Sequence, residues 1–153
     1  MSAVPQALPR YRPMRAADLD AVVAIELEIY THPWTLGNFR DSLSAGYSCW
    51  VLECDGVLWG YGVLMMGVDE AHLLNLSIAR ERQRAGLGRQ LLEFFVGRAR
   101  EMGAQVMFLE VRPSNVAGRG LYASAGFREM AVRKNYYPAD RGREDAILMG
   151  RDL

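Results

Sequence analysis

The 153-residue chain is 50% hydrophobic and 24% charged, the balance of one globular domain, and at that length folding hides roughly 70% of the unfolded surface without help from a metal or a disulfide. Eighteen basic and 18 acidic residues cancel to a net charge of +0, with a pI near 6.7, which argues against a broad electrostatic hold on nucleic acid or an anionic membrane. No basic, apolar leader stands before Arg10 and no apolar run nears the roughly 18 residues of a membrane span, so the chain reads as a cytoplasmic protein with neither export signal nor membrane anchor.

Residues 1–9 carry Pro5 and Pro9 and little periodicity, and read as a flexible tail ahead of a single domain at 10–153. Residues 11–14 make a short strand that Pro13 confines to a sheet edge or a bulge. Asp18 is placed to cap a helix, LDAVVAIELEIY, in which Leu19, Val22, Val23, Ile25 and Ile29 recur at helical spacing until His32 and Pro33 stop it. A second helix over residues 36–45 carries Phe39 and Leu43 on one face and ends at Gly46. Two strand-like runs, YSCWVLEC and VLWGYGVLMMG, are joined at Asp55-Gly56, a strong hairpin signal, and a third run, AHLLNLSIA, completes an antiparallel meander. Cys49 and Cys54 stand five positions apart on one of these strands, about 16 Å at ~3.3 Å per residue, beyond the roughly 7 Å that a disulfide tolerates; they are reduced thiols. Over residues 86–102, Leu87, Leu91, Phe94, Phe95, Ala99 and Met102 form the stripe of an amphipathic helix that Gly103 ends. VMFLEV is then a nearly unbroken apolar strand of the kind covered on both faces, so AHLLNLSIA, the helix and VMFLEV make one βαβ crossover. A helix over residues 115–125 stops at Gly126, and FREMAVRKNYY and EDAILMGRDL close the sheet as paired strands. The expected fold is α/β (α+β): a mixed, mostly antiparallel sheet of about seven strands with one parallel crossover and about four helices.

Charge is uneven along the chain. Through Asn75 four arginines face nine acids, whereas from Leu76 onward 14 basic residues face nine acids, a split of −5 against +5. An anionic ligand is therefore expected on the second half and something basic on the first. The positive charge gathers in RERQRAGLGR, between the third run of the meander and the helix, where Arg82, Arg84 and Arg89 surround glycines at a helix mouth. Glycines let backbone N–H groups approach an anion closely, and the helix dipole adds about half a positive charge, so this turn is a candidate phosphate cradle. A Walker loop needs Gly-Lys-Ser/Thr, and the chain's one lysine, Lys134, is followed by Asn135. A dinucleotide fingerprint is imitated by strand, glycines, helix, strand and Glu110, but its third small residue is Leu91 and six residues separate Ala79 from Gly86. Gln83-Arg84-Ala85-Gly86-Leu87-Gly88 resembles instead the Q/R-x-x-G-x-G/A signature of the GNAT superfamily of N-acetyltransferases. The resemblance implies the GNAT fold and a turn, Gln83, Arg84, Ala85, Gly86, Leu87, Gly88 and Arg89, that binds the pyrophosphate of acetyl-CoA. It also implies a bulged strand splayed from the strand after the helix. The pantetheine arm would lie in that gap against Leu76, Ser77 and Ile78, whose N–H groups polarise the thioester carbonyl.

Glu110 interrupts VMFLEV near its carboxyl end, where open α/β sheets hold ligands. Partial burial there raises a carboxyl pKa toward what a general base near neutrality requires; a salt bridge to a neighbour such as Arg112 is the competing reading. Tyr122, on the next helix, reads by itself as a core aromatic with its hydroxyl at the rim. The segments LNLSIA, QRAGLGRQLLE, LEVRPSN, LYASAGF, RKNYYP and REDAILM, with HPW in the first inter-helix loop, resemble the RimI-type ribosomal-protein alanine N-acetyltransferases over about residues 11–152. That resemblance implies Glu110 as base, Tyr122 as general acid and Asn115 as a coenzyme contact. It implies as acceptor the N-terminal alanine of small-subunit ribosomal protein eighteen, attacking directly in a ternary complex. Trp34, Tyr136, Tyr137, Glu144 and Asp145 are where this branch would receive the basic N-terminal peptide. An α-amino group titrates near 8, against about 10.4 for lysine, so one carboxylate, acting directly or through a water, is enough. No metal is expected, because the two histidines lack a Cys partner at ligand spacing and His72 reads as structural. Cys49 and Cys54 precede the coenzyme strand, which argues against an acyl-cysteine. A monomer without direct contact to nucleic acid or membrane is the simplest assembly. The same chemistry on another acceptor (other protein N-termini, a lysine or a small amine) and a non-catalytic acyl-CoA sensor, which keeps the cradle without needing Glu110 or Tyr122, are the alternatives.

Overall fold

Alternating apolar residues separated by tight turns give seven strands in one sheet in the computed structural model, which describes residues 7–153. The strands are β1 Arg10–Pro13, β2 Ser48–Cys54, β3 Val57–Met66, β4 Glu70–Ile78, β5 Val106–Val111, β6 Arg128–Pro138 and β7 Arg143–Asp152, in the spatial order β1-β2-β3-β4-β5-β7-β6. Four α-helices accompany them among the described residues: α1 Leu19–Ile29, α2 Leu36–Ser44, α3 Leu87–Glu101 and α4 Val116–Ser124. None of these helices is long and apolar enough to cross a membrane. The tail expected over residues 1–9 lies outside the described residues as far as residue 6, and residues 7–9 lead directly into β1.

The mixed sheet expected from the sequence is present. Every neighbouring pair of strands is antiparallel except β4 and β5, which are parallel and joined through α3. Pro13 sits on β1, the outermost strand, where its missing N–H leaves no gap in a central ladder. Asp55 and Gly56 take consecutive positive φ values of 51° and 78°, the backbone that lets two antiparallel strands reconnect without splaying.

The sheet separates two apolar layers. On one face α1 and α2 bury Leu19, Val22 and Phe39 against Val51, Tyr61 and Val63. On the other, α3 buries Leu91, Leu92, Phe95, Val96 and Ala99 against Leu64, Leu73, Met107 and Leu109. The buried stripe of α3 thus includes Leu92 and Val96, which the predicted stripe lacked, and leaves out Met102, which is 40% exposed beyond the last turn. Phe94 is half-buried and stacks on Tyr11, ring centroids 4.2 Å apart, so it ties the helix to the edge strand rather than to the core centre. Close approach of α3 requires Gly62 on β3, where a Cβ would run into the Phe95 ring and the Asn75 carbonyl.

Asp18 departs from the expected role. It ends a 3-10 turn over Ala16–Asp18, makes no side-chain cap to α1, and its carboxylate accepts Arg15 N–H at 2.8 Å and both Arg12 Nη atoms at 2.8 Å. A buried charge is worth more opposite a forked guanidinium than opposite a helix amide, and this pairing fastens β1 to the start of α1.

Candidate functional site

One extra residue opens the sheet. The β3–β4 register passes from Val63 opposite Asn75 to Leu64 opposite Leu73, so Leu74 is a bulge, and a bulged strand bends and twists away from its neighbour. The parallel ladder between β4 and β5 runs from Glu70–Val106 to Leu73–Leu109 and ends there. The segment of β4 beyond the bulge and the carboxyl end of β5 therefore enclose a wedge.

The lip of that wedge is chemically specific. Ala79 N–H donates to the Trp59 carbonyl at 2.8 Å, so in an antiparallel ladder Ala79 and Ser77 turn their backbone groups toward β3, while Leu76 and Ile78 turn theirs outward. Two side chains mark the outward carbonyls: Tyr30 Oη donates to Leu76 O at 3.1 Å and Gln83 Nε2 to Ile78 O at 3.0 Å. The outward N–H groups thus belong to Leu76 and Ile78, and Ser77, expected as a third donor, contributes a buried hydroxyl instead. The same Gln83 bond holds the glycine turn against β4.

The glycine turn ends in Gly86 at φ 80°, the N-cap of α3, with no side-chain cap on the first-turn amides. Those N–H groups have no intrahelical partner and face solvent with the dipole's positive end. Arg84 also takes positive φ, 63°, so glycine-like backbone occurs at both ends of Arg84-Ala85-Gly86. Arg82 lies flat over Trp59, guanidinium 4.0 Å from the ring centroid, and Arg89 reaches across to Ser124 Oγ at 3.3 Å. These residues, exposed except for Leu87 and Gly88, form a basic collar that an anionic group enters from solvent.

Two cavities meet inside the wedge. The larger, about 780 Å³, is lined by Tyr30, Leu76, Asn115 and Tyr122; the smaller, about 420 Å³, by His72, Phe108, Arg133 and Tyr136. Both share Trp34, Leu73, Leu74, Leu109, Glu110 and Tyr137. Glu110 is half-buried and pairs with Arg133, Nε to Oε1 3.4 Å, rather than with Arg112. Burial pushes the Tyr122 hydroxyl well above the ordinary phenol value, and burial with the nearby Glu110 charge pushes Tyr137 up to about 12, so both keep their protons at neutral pH. Asn115 caps α4, accepting Gly118 N–H at 3.0 Å, which places its side chain at the cavity wall.

Glu144 and Asp145 lie outside both cavities. Glu144 accepts Ser114 Oγ–H and Ser114 N–H at 2.9 Å and Arg112 Nη1 at 3.2 Å, and the Ser114 bonds hold its carboxyl below the usual range. Asp145 accepts Asn135 N–H at 2.9 Å and faces Lys134 at 3.8 Å. Both acids brace loops, Glu144 from β7 onto the β5–α4 connection and Asp145 onto the strained Asn135 at φ 52°. The sequence reading missed Tyr30, Asn75 and Arg133 at the site, and above all Glu26, which is 1% exposed. Its signal was present: Glu26 follows Val22 by four positions and Leu19 by seven, so it occupies a core position of α1.

Such a site can hold a phosphorylated ligand at the mouth of α3, lay an extended arm along the free edge of β4, and admit a nucleophile from the second cavity beside Glu110. The model of the acetyltransferase (GNAT) family matches residues 19–127. The [ribosomal protein bS18]-alanine N-acetyltransferase of Escherichia coli K12 is 38% identical over 136 residues, covering 89% of this chain and 92% of that protein. A putative enzyme of the same description from Bacillus subtilis is 39% identical over 140 residues, covering 90% and 91%. A crystal structure of the corresponding alanine N-acetyltransferase of E. coli superposes with a TM-score of 0.88 at 35% identity, covering 95% of this chain and 94% of that one.

Proposed function

The chain belongs to the GNAT family of acetyltransferases, and from that premise we propose that it moves the acetyl group of acetyl-CoA to the N-terminal alanine of ribosomal protein bS18, in the cytoplasm and by direct attack. The observation that carries the reading is the position of Glu110: it lines both cavities where β4 and β5 part, with the outward N–H groups of Leu76 and Ile78 on the facing strand.

The first-turn amides of α3 and the collar of Arg82, Arg84 and Arg89 bind the pyrophosphate, and the outward groups of Leu76 and Ile78 pair with the amides of the pantetheine arm. The acceptor enters from the second cavity between Trp34, Tyr136 and Tyr137. Its amine displaces Arg133 from Glu110, an exchange favoured because Arg133 is 58% exposed and a solvent-screened ion pair is worth little. An α-amine with a pKa near 8 is mostly ammonium at neutrality and close to release, and Glu110 takes the proton. The outward N–H groups of β4 stabilise the oxyanion that attack creates. Tyr122, protonated in its buried setting, donates a hydrogen bond to the departing thiolate; complete transfer from so weak an acid is uphill, and the proton that completes the thiol comes from the attacking amine.

The test uses an arginine-rich peptide beginning with alanine, with acetyl-CoA, beside the same peptide already blocked at its α-amine. Incorporation into the free peptide alone is expected. Equal incorporation into both would move the acceptor to a side chain and overturn the N-terminal assignment.

A further inference from the structure

One buried acid takes no part in that chemistry. Glu26 stands on the core side of α1 among Leu19 and Val22, and a carboxylate in such a place survives only when hydrogen bonds replace its water. Three donors do so, each from a different segment: Trp34 N–H from the α1–α2 loop at 2.9 Å on Oε2, and Tyr61 Oη from β3 at 2.9 Å and Asn75 Nδ2 from β4 at 2.7 Å on Oε1. The chain continues outward. Ser77 Oγ donates to Asn75 Oδ1 at 2.7 Å, and Tyr30 Oη lies 2.7 Å from Ser77 Oγ and 3.1 Å from Leu76 O. Burial pushes Tyr30 up to about 12 and Tyr61 higher still, so both remain donors. The Asn75 and Ser77 hydrogens point toward Glu26, the single Tyr30 hydrogen is shared between Ser77 Oγ and Leu76 O as a three-centre bond, and a buried charge at one end polarises such a chain and fixes its direction.

The two ends of the network are the two sides of the reaction. Trp34 lines the acceptor cavity, while Leu76 carries on one residue both the carbonyl that Tyr30 grips and the outward N–H that faces the wedge. We propose that Glu26 is a positioning residue that locks the acceptor loop at Trp34 and the free edge of β4 at Leu76 into one register, so that amine and thioester carbonyl meet in attack geometry. The proposal rests on the acetyl-transfer reading and goes beyond it by assigning a role to a residue that touches neither substrate.

Glu26→Gln tests it, because the amide keeps the side chain's volume but turns a donor toward a donor already present. With the alanine peptide and acetyl-CoA, the peptide KM of the folded variant rises about 10-fold and kcat falls about 10-fold, the effect of spoiling hydrogen bonds to a buried charge. The acetyl-CoA Kd stays within about twofold, because the α3 cradle is untouched, and hydrogen exchange at the Trp34 amide accelerates. A residue needed only for stability moves coenzyme binding and turnover together with the folded fraction. Ser77→Ala cuts the chain between Asn75 and Tyr30 and leaves the three donors of Glu26 in place; it lowers kcat about threefold or more with peptide KM unchanged. Wild-type values of kcat and peptide KM in Glu26→Gln, a coenzyme Kd that shifts as far as the peptide KM, or an unchanged kcat in Ser77→Ala each overturn the proposal. Should the wild-type enzyme leave the peptide unmodified, the acceptor assignment fails instead, and exchange at Trp34 still decides the coupling.

Discussion

The half-buried Glu110 carboxylate pairs with a solvent-exposed arginine, Arg133, at 3.4 Å. That arrangement suits a base whose partner must be replaceable. Removing the proton acceptor with Glu110→Gln lowers kcat by about 10² to 10⁴ while acetyl-CoA binding stays within about twofold, the ordinary worth of positioned acid–base catalysis. What rate remains depends on amine that has already lost its proton, so it rises about tenfold per pH unit up to the amine pKa near 8 and then levels. A stopped-rate pH profile of the variant checks this, and a flat profile removes Glu110 from the proton path. Tyr122→Phe takes away a hydrogen bond rather than a base, so its loss carries no such added pH slope. At this scale the sequence was informative wherever a residue broke its own local pattern. Glu110 interrupts an apolar strand, and it could be picked out. The partners of Glu144 are Ser114 and Arg112, thirty and thirty-two positions away, so nothing local separates a bracing acid from one that awaits a basic peptide. Glu26 broke a pattern too, but on a helix already counted as amphipathic, where a lone acid passes for a solvated one.

Elements were legible where period and turn chemistry agreed. The Asp55-Gly56 hairpin and the α3–Gly103 stop needed only neighbouring residues. The bulge on which the wedge depends was implied by the family resemblance and not by the residues themselves, because LNLSI contains no glycine or proline and the irregularity at Leu74 exists only relative to β3. Equally hidden was the fastening of the edge strand. The Arg12 guanidinium holds Asp18 and Glu53 below the usual carboxylate range through direct hydrogen bonds, so β1, β2 and the entry to α1 share one cation. Arg12→Ala lowers Tm by about 5 °C at pH 7, the loss of charged hydrogen bonds at a buried acid. A carboxyl whose folded pKa is depressed contributes fully above its unfolded value near 4, and that contribution disappears as pH falls through the folded value. The Tm gap between wild type and Arg12→Ala therefore persists from pH 7 to about pH 5 and closes below about pH 4. A gap that widens in acid reverses the sign and rules the linkage out.

For the molecule as a whole, the order of its strands decides how two substrates meet. β4 and β5 are parallel neighbours that part after four paired positions, which leaves a slot through the sheet rather than a pit on one face. Tyr30 and Tyr122 line one cavity, Tyr136 and Phe108 the other, and six residues belong to both. In the proposed reaction coenzyme and peptide occupy the two cavities together, with their reacting groups at Glu110. Neither cysteine is placed to carry the acetyl group between them: Cys49 is buried in the α1–α2 layer with its thiol pushed up to about 11, and Cys54 ends the same strand, two strands away from β4. A thiol that stays protonated at neutrality is a poor nucleophile. Steady-state velocities measured against both substrates should therefore give reciprocal plots that intersect, the pattern of a ternary complex, and intact mass after incubation with acetyl-CoA alone should show no acetyl adduct. Parallel lines together with an adduct of one acetyl group would mean a covalent enzyme intermediate, and the slot would then have to serve two successive visitors instead of two simultaneous ones.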